Sequence, residues 1–256
     1  MNAGTTTTSV STLGSASPGF LAGAERDWNV SRTTLLVILA VPWLVAFSGV
    51  AAALAGKSSY KLLTQEDGIA ETAQVVFYTI TLLLGLVLTC RLWRTESKAI
   101  AVLYLLFCGG LVFLVGEELS WGQRILRWET AESFAAINKQ GETNLHNIEG
   151  VGATFKWVQM LVGAYGTILP LVLLWSKSLA RYRDKLSLLV PHCTLIPYFA
   201  LLFLWRFYRN VTDPPQEFYF VVSEYNEVLE LVLALGFFLF VVFQLRRLKR
   251  GELRGT

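Results

Sequence analysis

Two adjacent glutamates and a histidine stand out in the middle of the chain. Glu117 and Glu118 are followed 28 residues later by His146, one of 2 histidines in the sequence. An imidazole among carboxylates is suited to acid–base catalysis, and the same groups bind divalent metal ions. We therefore predict that Glu117, Glu118 and His146 hold a divalent metal ion or share acid–base work. Asp67 and Glu71 are assigned to the same catalytic group.

A polar stripe runs along one predicted helix and is expected to face the interior of a helical bundle. Its members recur at steps of three or four residues, the spacing of one helix face, and they are Asp67, Glu71, Gln74, Tyr78, Thr81 and Gly85. Ser223, Glu227 and Glu230 repeat the pattern near the end of the chain. Because the rest of the second predicted helix is apolar, its stripe has to face protein or water. The predicted substrate-contacting residues are Trp121, Gln123, Arg124, Gln74, Tyr78, Asn144, Glu227 and Glu230.

The same carboxylates also have a purely structural interpretation. Arginines on the same predicted side can pair with them, namely Arg124, Arg127, Arg206 and Arg209. A structural network should balance its acids with arginines, whereas a functional cluster should hold more acids than its arginines neutralise. His146 likewise has an alternative interpretation as a loop histidine bonded to the backbone. The sequence leaves both interpretations open.

Other catalytic signatures are missing from the sequence. It has no G-x-S-x-G, H-E-x-x-H, Walker or G-x-G-x-x-G motif. A ferritin-like di-iron site needs a Glu-x-x-His pair on each of two helices, and His192 begins a predicted helix on the opposite side, where we interpret it as structural. Cys90, Cys108 and Cys193 fall far apart in apolar runs, so they predict neither a disulfide framework nor a zinc site.

The composition predicts an all-α protein that spans a membrane several times. Hydrophobic residues make up 54% of the chain and charged residues only 16%, against about 25% charged residues in soluble domains. A bilayer core needs about 20 apolar residues per helix, and six runs meet that need: 34–55, 69–90, 99–116, 158–175, 186–205 and 218–243. The predicted partner is the lipid bilayer. Nucleic acid is excluded, because no basic segment interleaves with aromatic residues.

The distribution of basic residues predicts the orientation of these helices. With an inner amino terminus, 14 of the 22 Lys and Arg residues lie in the inner segments, and cytoplasmic loops carry such an excess. Both termini are therefore expected in the cytoplasm, with the acidic residues facing outward. The predicted divisions are a disordered tail over 1–33, a six-helix domain over 34–245 and a basic tail over 246–256.

The longest connection between predicted helices, between the third and the fourth, is expected to carry function. We interpret it as an amphipathic outer segment with Trp121 and Trp128 at headgroup level, followed by a loop folded onto the bundle. The strings G-E-E-L-S-W-G-Q-R (116–124) and Q-G-E-T-N-L-H-N (140–147) resemble a group of bacterial multi-pass membrane proteins of unassigned function. That resemblance implies a bacterial inner membrane and implies no activity.

Three kinds of function fit these features. The first is an enzyme, a hydrolase or transferase, that acts on a lipid or lipid-linked substrate at the outer leaflet, either with a divalent metal as cofactor or by acid–base work alone. The second is a proton- or cation-coupled transporter in which Glu71, Glu227 and Glu230 exchange protons, although the sequence lacks an inverted repeat. The third is a structural subunit of a membrane complex. The sequence names neither the substrate nor the oligomeric state.

Overall fold

The computed structural model describes residues 19–94, 98–148, 150–212 and 215–250. Regular structure in these ranges is helical, apart from an isolated bridge between Asn138 and Ile148. The helices of the first half are α1 (Phe20–Trp28), α2 (Arg32–Ala55), α3 (Lys57–Thr64), α4 (Ile69–Trp93) and α5 (Lys98–Glu118). Those of the second half are α6 (Gln123–Leu126), α7 (Glu132–Ala135), α8 (Val151–Trp175), α9 (Arg183–Leu186), α10 (Ile196–Val211) and α11 (Tyr219–Lys249).

The all-helical, membrane-spanning character of the chain agrees with the sequence. Within the described residues, five segments are long and apolar enough to cross a bilayer: Arg32–Ala55, Lys57–Trp93, Lys98–Glu118, Val151–Trp175 and Gln216–Lys249. Five of the six predicted spans fall in or largely within these segments.

The predicted span 186–205 differs from the observed structure. A short 3₁₀ turn at Cys193–Leu195 leads into α10, which begins at Ile196 and has only 16 residues. Proline explains the late start, because Pro191 disfavours helical geometry in the residue before it and Pro197 fits the first turn of a helix. The segment before α10 therefore folds across the end of the bundle instead of entering it as a helix.

The predicted disordered tail, 1–33, is wrong over its last part, where the chain forms a helix. Residues 20–28 form α1, which buries Ala24 and Trp28. The Trp28 indole donates from Nε1 to Thr194 Oγ1 at 2.9 Å, and this contact ties α1 to the segment before α10. Apolar side chains one helical turn apart give α1 a face to bury. Residues 1–18 of the predicted tail lie outside the described residues.

The hydrophobic core is built around α11. In its most apolar stretch 61% of the residues are buried, against 17–33% in the other candidate spans. Glycines allow α8 to approach α10 closely: a Cβ added at Gly166 would lie 2.1 Å from Cγ of the Phe199 ring. The same close approach occurs at Gly163, beside Phe203. The α8 backbone therefore packs against the Phe199 ring at Gly166 and against the α10 backbone at Gly163, as is typical of small residues in membrane bundles.

The two ends of the bundle differ in charge. At the acidic end, where α4 begins and α5 ends, Asp67, Glu71, Glu117 and Glu142 come together. At the basic end, where α1, α9 and the last turns of α11 meet, the charged residues are mainly Arg26, Arg183, Arg246, Arg247 and Arg250. The five residues predicted to be catalytic, three of which are also the predicted metal ligands, all belong to the acidic end.

Candidate functional site

The chain reverses direction immediately after α5. Ser120, Trp121 and Gly122 all have positive φ angles, of 45°, 53° and 95°, so three successive residues adopt left-handed geometry that is rare outside glycine. The Trp121 ring lies against Gly116, where an added Cβ would approach the ring to 3.0 Å. This turn directs Arg124 back over the start of α4.

Glu117 anchors the connection that follows this turn. Its side chain accepts a hydrogen bond from Trp121 Nε1 at 2.8 Å, and from the backbone N–H groups of Leu145 and His146 at 2.8 and 2.9 Å. His146 Nδ1 lies 3.2 Å from the same carboxylate. Glu117 is only 2% exposed. The prediction that His146 and Glu117 meet is therefore confirmed, and their contact fastens the loop to the end of α5.

The predicted metal-binding set does not fit a metal ion in this arrangement. Oε2 of Glu117 already faces two backbone donors and the His146 ring. Glu118 follows Glu117 directly, so its side chain leaves the helix about 100° away. Among the residues described here, no group of three or more His, Cys, Asp or Glu side chains is placed to hold a metal ion. We therefore derive no chemistry from a metal at Glu117, Glu118 and His146.

Arg124 bridges three carboxylates at the mouth of the acidic end. Its guanidinium hydrogen-bonds Glu71 and lies 3.1 Å from Asp67 Oδ1 and 3.4 Å from Glu142 Oε2. Burial by itself would lower the pKa of Arg124, but the Glu71 and Glu142 carboxylates raise it above its ordinary value. Arg124 therefore stays charged and binds the connection to α4, while the Asp67 side chain remains 80% exposed.

Buried amides hold the far part of the connection. Glu142 Oε2 accepts hydrogen bonds from Ser120 Oγ at 2.8 Å and from Asn144 Nδ2 at 2.7 Å. Asn138 Nδ2 donates to the backbone oxygen and to Oδ1 of Asn144, both at 2.9 Å. Asn144 is fully buried. In this geometry, the predicted substrate-contacting residue Asn144 acts as loop scaffold.

Gln123 and Trp121 have similar supporting contacts. Gln123 Oε1 accepts from the Thr143 backbone N–H at 2.8 Å, and its Nε2 donates to Thr130 Oγ1 at 2.8 Å. The Trp121 ring is 43% exposed while its N–H is held by Glu117. Both predicted substrate contacts thus shape the cover of the site.

Behind this cover lies a set of polar groups that we call the inner chamber: Gln74, Tyr78, Glu118, Glu227 and Glu230. Gln74 is fully buried and donates from Nε2 to the Glu227 backbone oxygen at 2.9 Å and to Glu227 Oε2 at 3.3 Å. Its Oε1 is buried without a hydrogen-bond partner among the described residues. Since both atoms belong to one amide, this unused acceptor lies beside the Glu227 carboxylate.

Two carboxylates of the inner chamber form no ion pair among the described residues. Glu118 also makes no hydrogen bond there; it interacts electrostatically with the acids Glu230, Glu71 and Glu227, and Arg124 is the cation that acts on it. In the same part of the chain, the Glu227 carboxylate is hydrogen-bonded only by Gln74 Nε2, and Arg206 acts on it electrostatically. The inner chamber therefore holds two acids with which no described arginine pairs directly.

Glu230 is the compensated member of the inner chamber. Gln159 Nε2 donates to Glu230 Oε1 at 2.7 Å, Asn226 Nδ2 hydrogen-bonds the same oxygen, and Arg206 Nη2 lies 3.6 Å away. Arg206 also donates from Nε to Gln159 Oε1 at 2.6 Å. By contrast, Arg209 lies over the Tyr219 ring with 5.5 Å to its centroid. The one-to-one pairing of acids with arginines that a purely structural network requires is not present among these residues.

The stripe on α4 is confirmed from Glu71 onward, because Glu71, Gln74, Tyr78, Thr81 and Gly85 are all buried. Asp67 is an exception, since it precedes the helix and is exposed. Sequence reasoning did not assign Glu142, Ser120 or Asn138 to the site, and it placed Gln159 on the inward face of a predicted helix without giving it a role. Glu142 lies within a string that carries the resemblance, and Gln159 shares a helix face with Gly163 and Gly166, so a sequence feature pointed to each of them. No sequence feature pointed to Asn138.

Comparison with known protein families, with curated proteins and with solved structures finds no match to this chain. The resemblance drawn from the two strings therefore stays a prediction. What the fold establishes is the class: an all-helical chain with at least five helices able to cross a membrane.

Proposed function

We propose that this protein is a membrane-embedded enzyme that performs acid–base chemistry on a lipid or lipid-linked substrate, reached from the acidic end. The observation that carries the proposal is the pair Glu118 and Glu227, which lie in the bundle and form no ion pair with a described arginine. A charge in hydrocarbon costs about 2.5–3.5 kcal/mol even on the lenient insertion scale. Carboxylates inside a membrane are therefore taken as candidate functional groups. We propose that a proton or a substrate group binds them.

The proposed chemistry divides between these two carboxylates. One of them holds a proton and donates it to the leaving group, and the other accepts a proton from the attacking hydroxyl or water. Crowded like charges favour such a division, because they cannot all ionise together. Gln74 positions Glu227 through its hydrogen bond, and its unused Oε1 offers an acceptor to a substrate hydroxyl or amine. The reaction is thus a hydrolysis or a group transfer.

The connection between α5 and α8 forms the proposed entrance. Arg124 provides a fixed positive charge at the mouth, which suits a phosphate-containing headgroup. His146 lies at the edge of the same mouth, 33% exposed and oriented by Glu117. We assign His146 a proton-transfer role near the entrance and Arg124 a substrate-orienting role.

The proposed topology has six crossings, with both termini in the cytoplasm of a bacterial inner membrane. α10 supplies the sixth: its 16 residues span about 24 Å, and the 3₁₀ turn before it adds about 6 Å. Basic residues gather at the end that this topology places inside. Cysteines introduced at Ser178 and Lys139, both exposed, are expected to react with an impermeant thiol reagent from opposite sides, whereas reaction from the same side contradicts the topology.

A proton-coupled transporter is the second candidate, because Glu227 and Glu230 lie one helical turn apart and Gln159 connects Glu230 to Arg206. An aromatic layer argues against a continuous path. At the lower end of the inner chamber, the ring centroids of Tyr78 and Phe237 are 6.4 Å apart, and that of Phe107 lies 5.4 Å from that of Phe237. These rings separate the chamber from the basic end. Aromatic rings between the inner chamber and the basic end favour an enzyme over a transporter.

The test uses purified protein in vesicles made from a bacterial total lipid extract, with products followed by mass spectrometry. Enzyme activity predicts time-dependent conversion of a lipid species that Glu118→Gln and Glu227→Gln abolish. The matched control is Glu224→Gln, because Glu224 lies on the same helix but faces Lys61.

The same vesicles separate the alternatives. An entrapped pH-sensitive dye reports proton movement, and Glu227-dependent movement without lipid conversion would replace the enzyme proposal with the transporter. If wild-type protein converts no lipid and moves no protons, the acids are structural and the enzyme proposal fails.

A further inference from the structure

A cavity with several charged side chains in its lining lies at the basic end, remote from the inner chamber. It has a volume of about 480 Å³ and is lined by side chains from α1, α8, α9 and α11. Three arginines from different helices contribute, namely Arg26, Arg183 and Arg247. Convergence of arginines from separate helices is the arrangement that binds phosphate groups, because each guanidinium offers several parallel N–H donors.

The acidic residues of this cavity only partly offset its positive charge. Asp27 is held by His192, whose Nε2 lies 3.2 Å from Asp27 Oδ2, and Asp184 is the second acid. Burial lowers the pKa of His192, an effect that the hydrogen bond with Asp27 only partly opposes. His192 is therefore mainly neutral near pH 7, and the three arginines outnumber the two acids.

The arginines are held in place by backbone groups. Arg183 Nη2 donates to the Leu173 carbonyl at 2.9 Å, and Arg247 Nη1 donates to the Ser187 carbonyl at 3.2 Å. The hydrogen bond of Arg183 uses one of its five N–H donors, and the others have no partner in the described ranges. Its guanidinium is thus positioned before any ligand arrives.

An apolar groove of about 560 Å³ begins where this cavity ends, and Pro191 lines both. The groove lies between α5 and α8, with Phe199, Phe237 and Phe240 as its floor. The hydroxyl groups of Tyr104 and Tyr165 donate to backbone carbonyls of the segment before α10, so they present their rings to the groove.

The depth of the groove matches the tail region of a bilayer. Leu103 is the sixth residue of α5 and Leu161 lies 14 residues before the end of α8, so at about 1.5 Å per residue the groove covers roughly 8 to 21 Å below the basic end. A phosphate-binding cavity at the membrane surface therefore continues into an acyl-sized groove inside it. Basic pockets between transmembrane helices bind anionic lipid headgroups in this way.

We infer that the basic end binds one anionic phospholipid, with its phosphate among Arg26, Arg183 and Arg247 and an acyl chain between α5 and α8. The inference is independent of the proposed enzyme activity, since it uses none of the inner-chamber residues. The ligand is a lipid and not free phosphate because the groove offers only apolar lining.

The test is native mass spectrometry of protein purified in detergent and mixed with equal amounts of phosphatidylglycerol and phosphatidylcholine. Wild-type protein is expected to retain phosphatidylglycerol in preference. The double variant Arg26→Gln with Arg183→Gln should lose at least about tenfold in retention, the scale of one or more charge-assisted hydrogen bonds. The control is Arg181→Gln, because Arg181 lies over the Tyr182 ring, 4.7 Å from its centroid, and does not line the cavity.

A second pair of variants tests the groove. Leu103→Trp fills the groove and should reduce retention of phosphatidylglycerol. Leu106 is 66% exposed and does not line the groove, so Leu106→Trp should leave retention unchanged. Equal retention of the two lipids, or equal losses in Arg181→Gln, would overturn the proposal. Displacement of phosphatidylglycerol by millimolar inorganic phosphate would identify a free-phosphate site instead and would also overturn it. Thermal unfolding of each variant confirms that it is folded.

Discussion

Replacing Glu117 with alanine removes the acceptor of three N–H groups, those of the Trp121 indole, Leu145 and His146. Each hydrogen bond to a charged acceptor contributes about 1.5–3 kcal/mol. The loop can recover part of this by exposing its donors to water. We therefore expect the free energy of local opening around residues 138–148 to fall by about 3 kcal/mol, while the helical bundle stays folded.

Hydrogen exchange measures this opening directly. A fall of about 3 kcal/mol corresponds to roughly a hundredfold faster exchange at amides whose hydrogen bonds depend on the docked loop. Two such amides are Lys139, bonded to the Asn147 carbonyl at 3.0 Å, and Thr143, bonded to Gln123 Oε1 at 2.8 Å. Peptides from α11 should exchange as in the wild type.

Two further variants make the Glu117 experiment decisive. Glu117→Gln keeps one acceptor oxygen and should give an intermediate increase in exchange. Glu129→Ala removes an exposed acid from the same connection and should leave exchange unchanged. If Glu117→Ala leaves the exchange of 138–148 at the wild-type rate, or if Glu129→Ala matches it, then Glu117 is not the anchor of this loop.

Three other perturbations have expected outcomes. Arg124→Gln leaves the Glu71 carboxylate, whose side chain is 9% exposed, without its cation. This change should lower the free energy of unfolding by about 3 kcal/mol in a denaturation assay, whereas Arg127→Gln should leave it unchanged. Gly166→Ala forces a Cβ to 2.1 Å from the Phe199 ring and should lower stability by about 1–3 kcal/mol or more; Gly109→Ala, with no atom within 4 Å, should not lower the Tm. His146→Ala should abolish lipid conversion without changing helicity by circular dichroism, because its backbone N–H still binds the anchor; full activity would remove His146 from the mechanism.

Helical periodicity was sufficient to predict the inward face of α4. Glu71, Gln74 and Tyr78 are buried as expected, because the period of 3.6 residues fixes which side chains share a face once the helix forms. The same rule failed for Asp67, which precedes the helix and adopts a φ of 56°. Periodicity thus holds only inside the element that imposes it.

The hydrogen bonds that hold the loop could not be predicted from the sequence, and the reason is different. The meeting of Glu117 with His146 depends on the left-handed turn at Ser120 and Trp121, and neither residue type favours that geometry. Tertiary packing of the Trp121 ring on Gly116 imposes it. The proximity of acid and histidine was therefore predictable as chemistry, but the saturation of Glu117 by backbone donors was not, and that saturation is what counts against a metal ion there.

The unequal lengths of α10 and α11 have a consequence for the surrounding lipid. α11 has 31 residues, about 46 Å at 1.5 Å per residue, and can adapt to a thicker bilayer by tilting. α10 is little more than half as long, and its outward side chains Leu204 and Phe207 are 59% and 52% exposed. On the proposed topology, the bilayer beside α10 must thin or leave that helix short of the interface, at a fraction of a kcal/mol per Å of mismatch. The protein is therefore expected to partition into membrane regions with shorter acyl chains, and to unfold more easily as chain length increases.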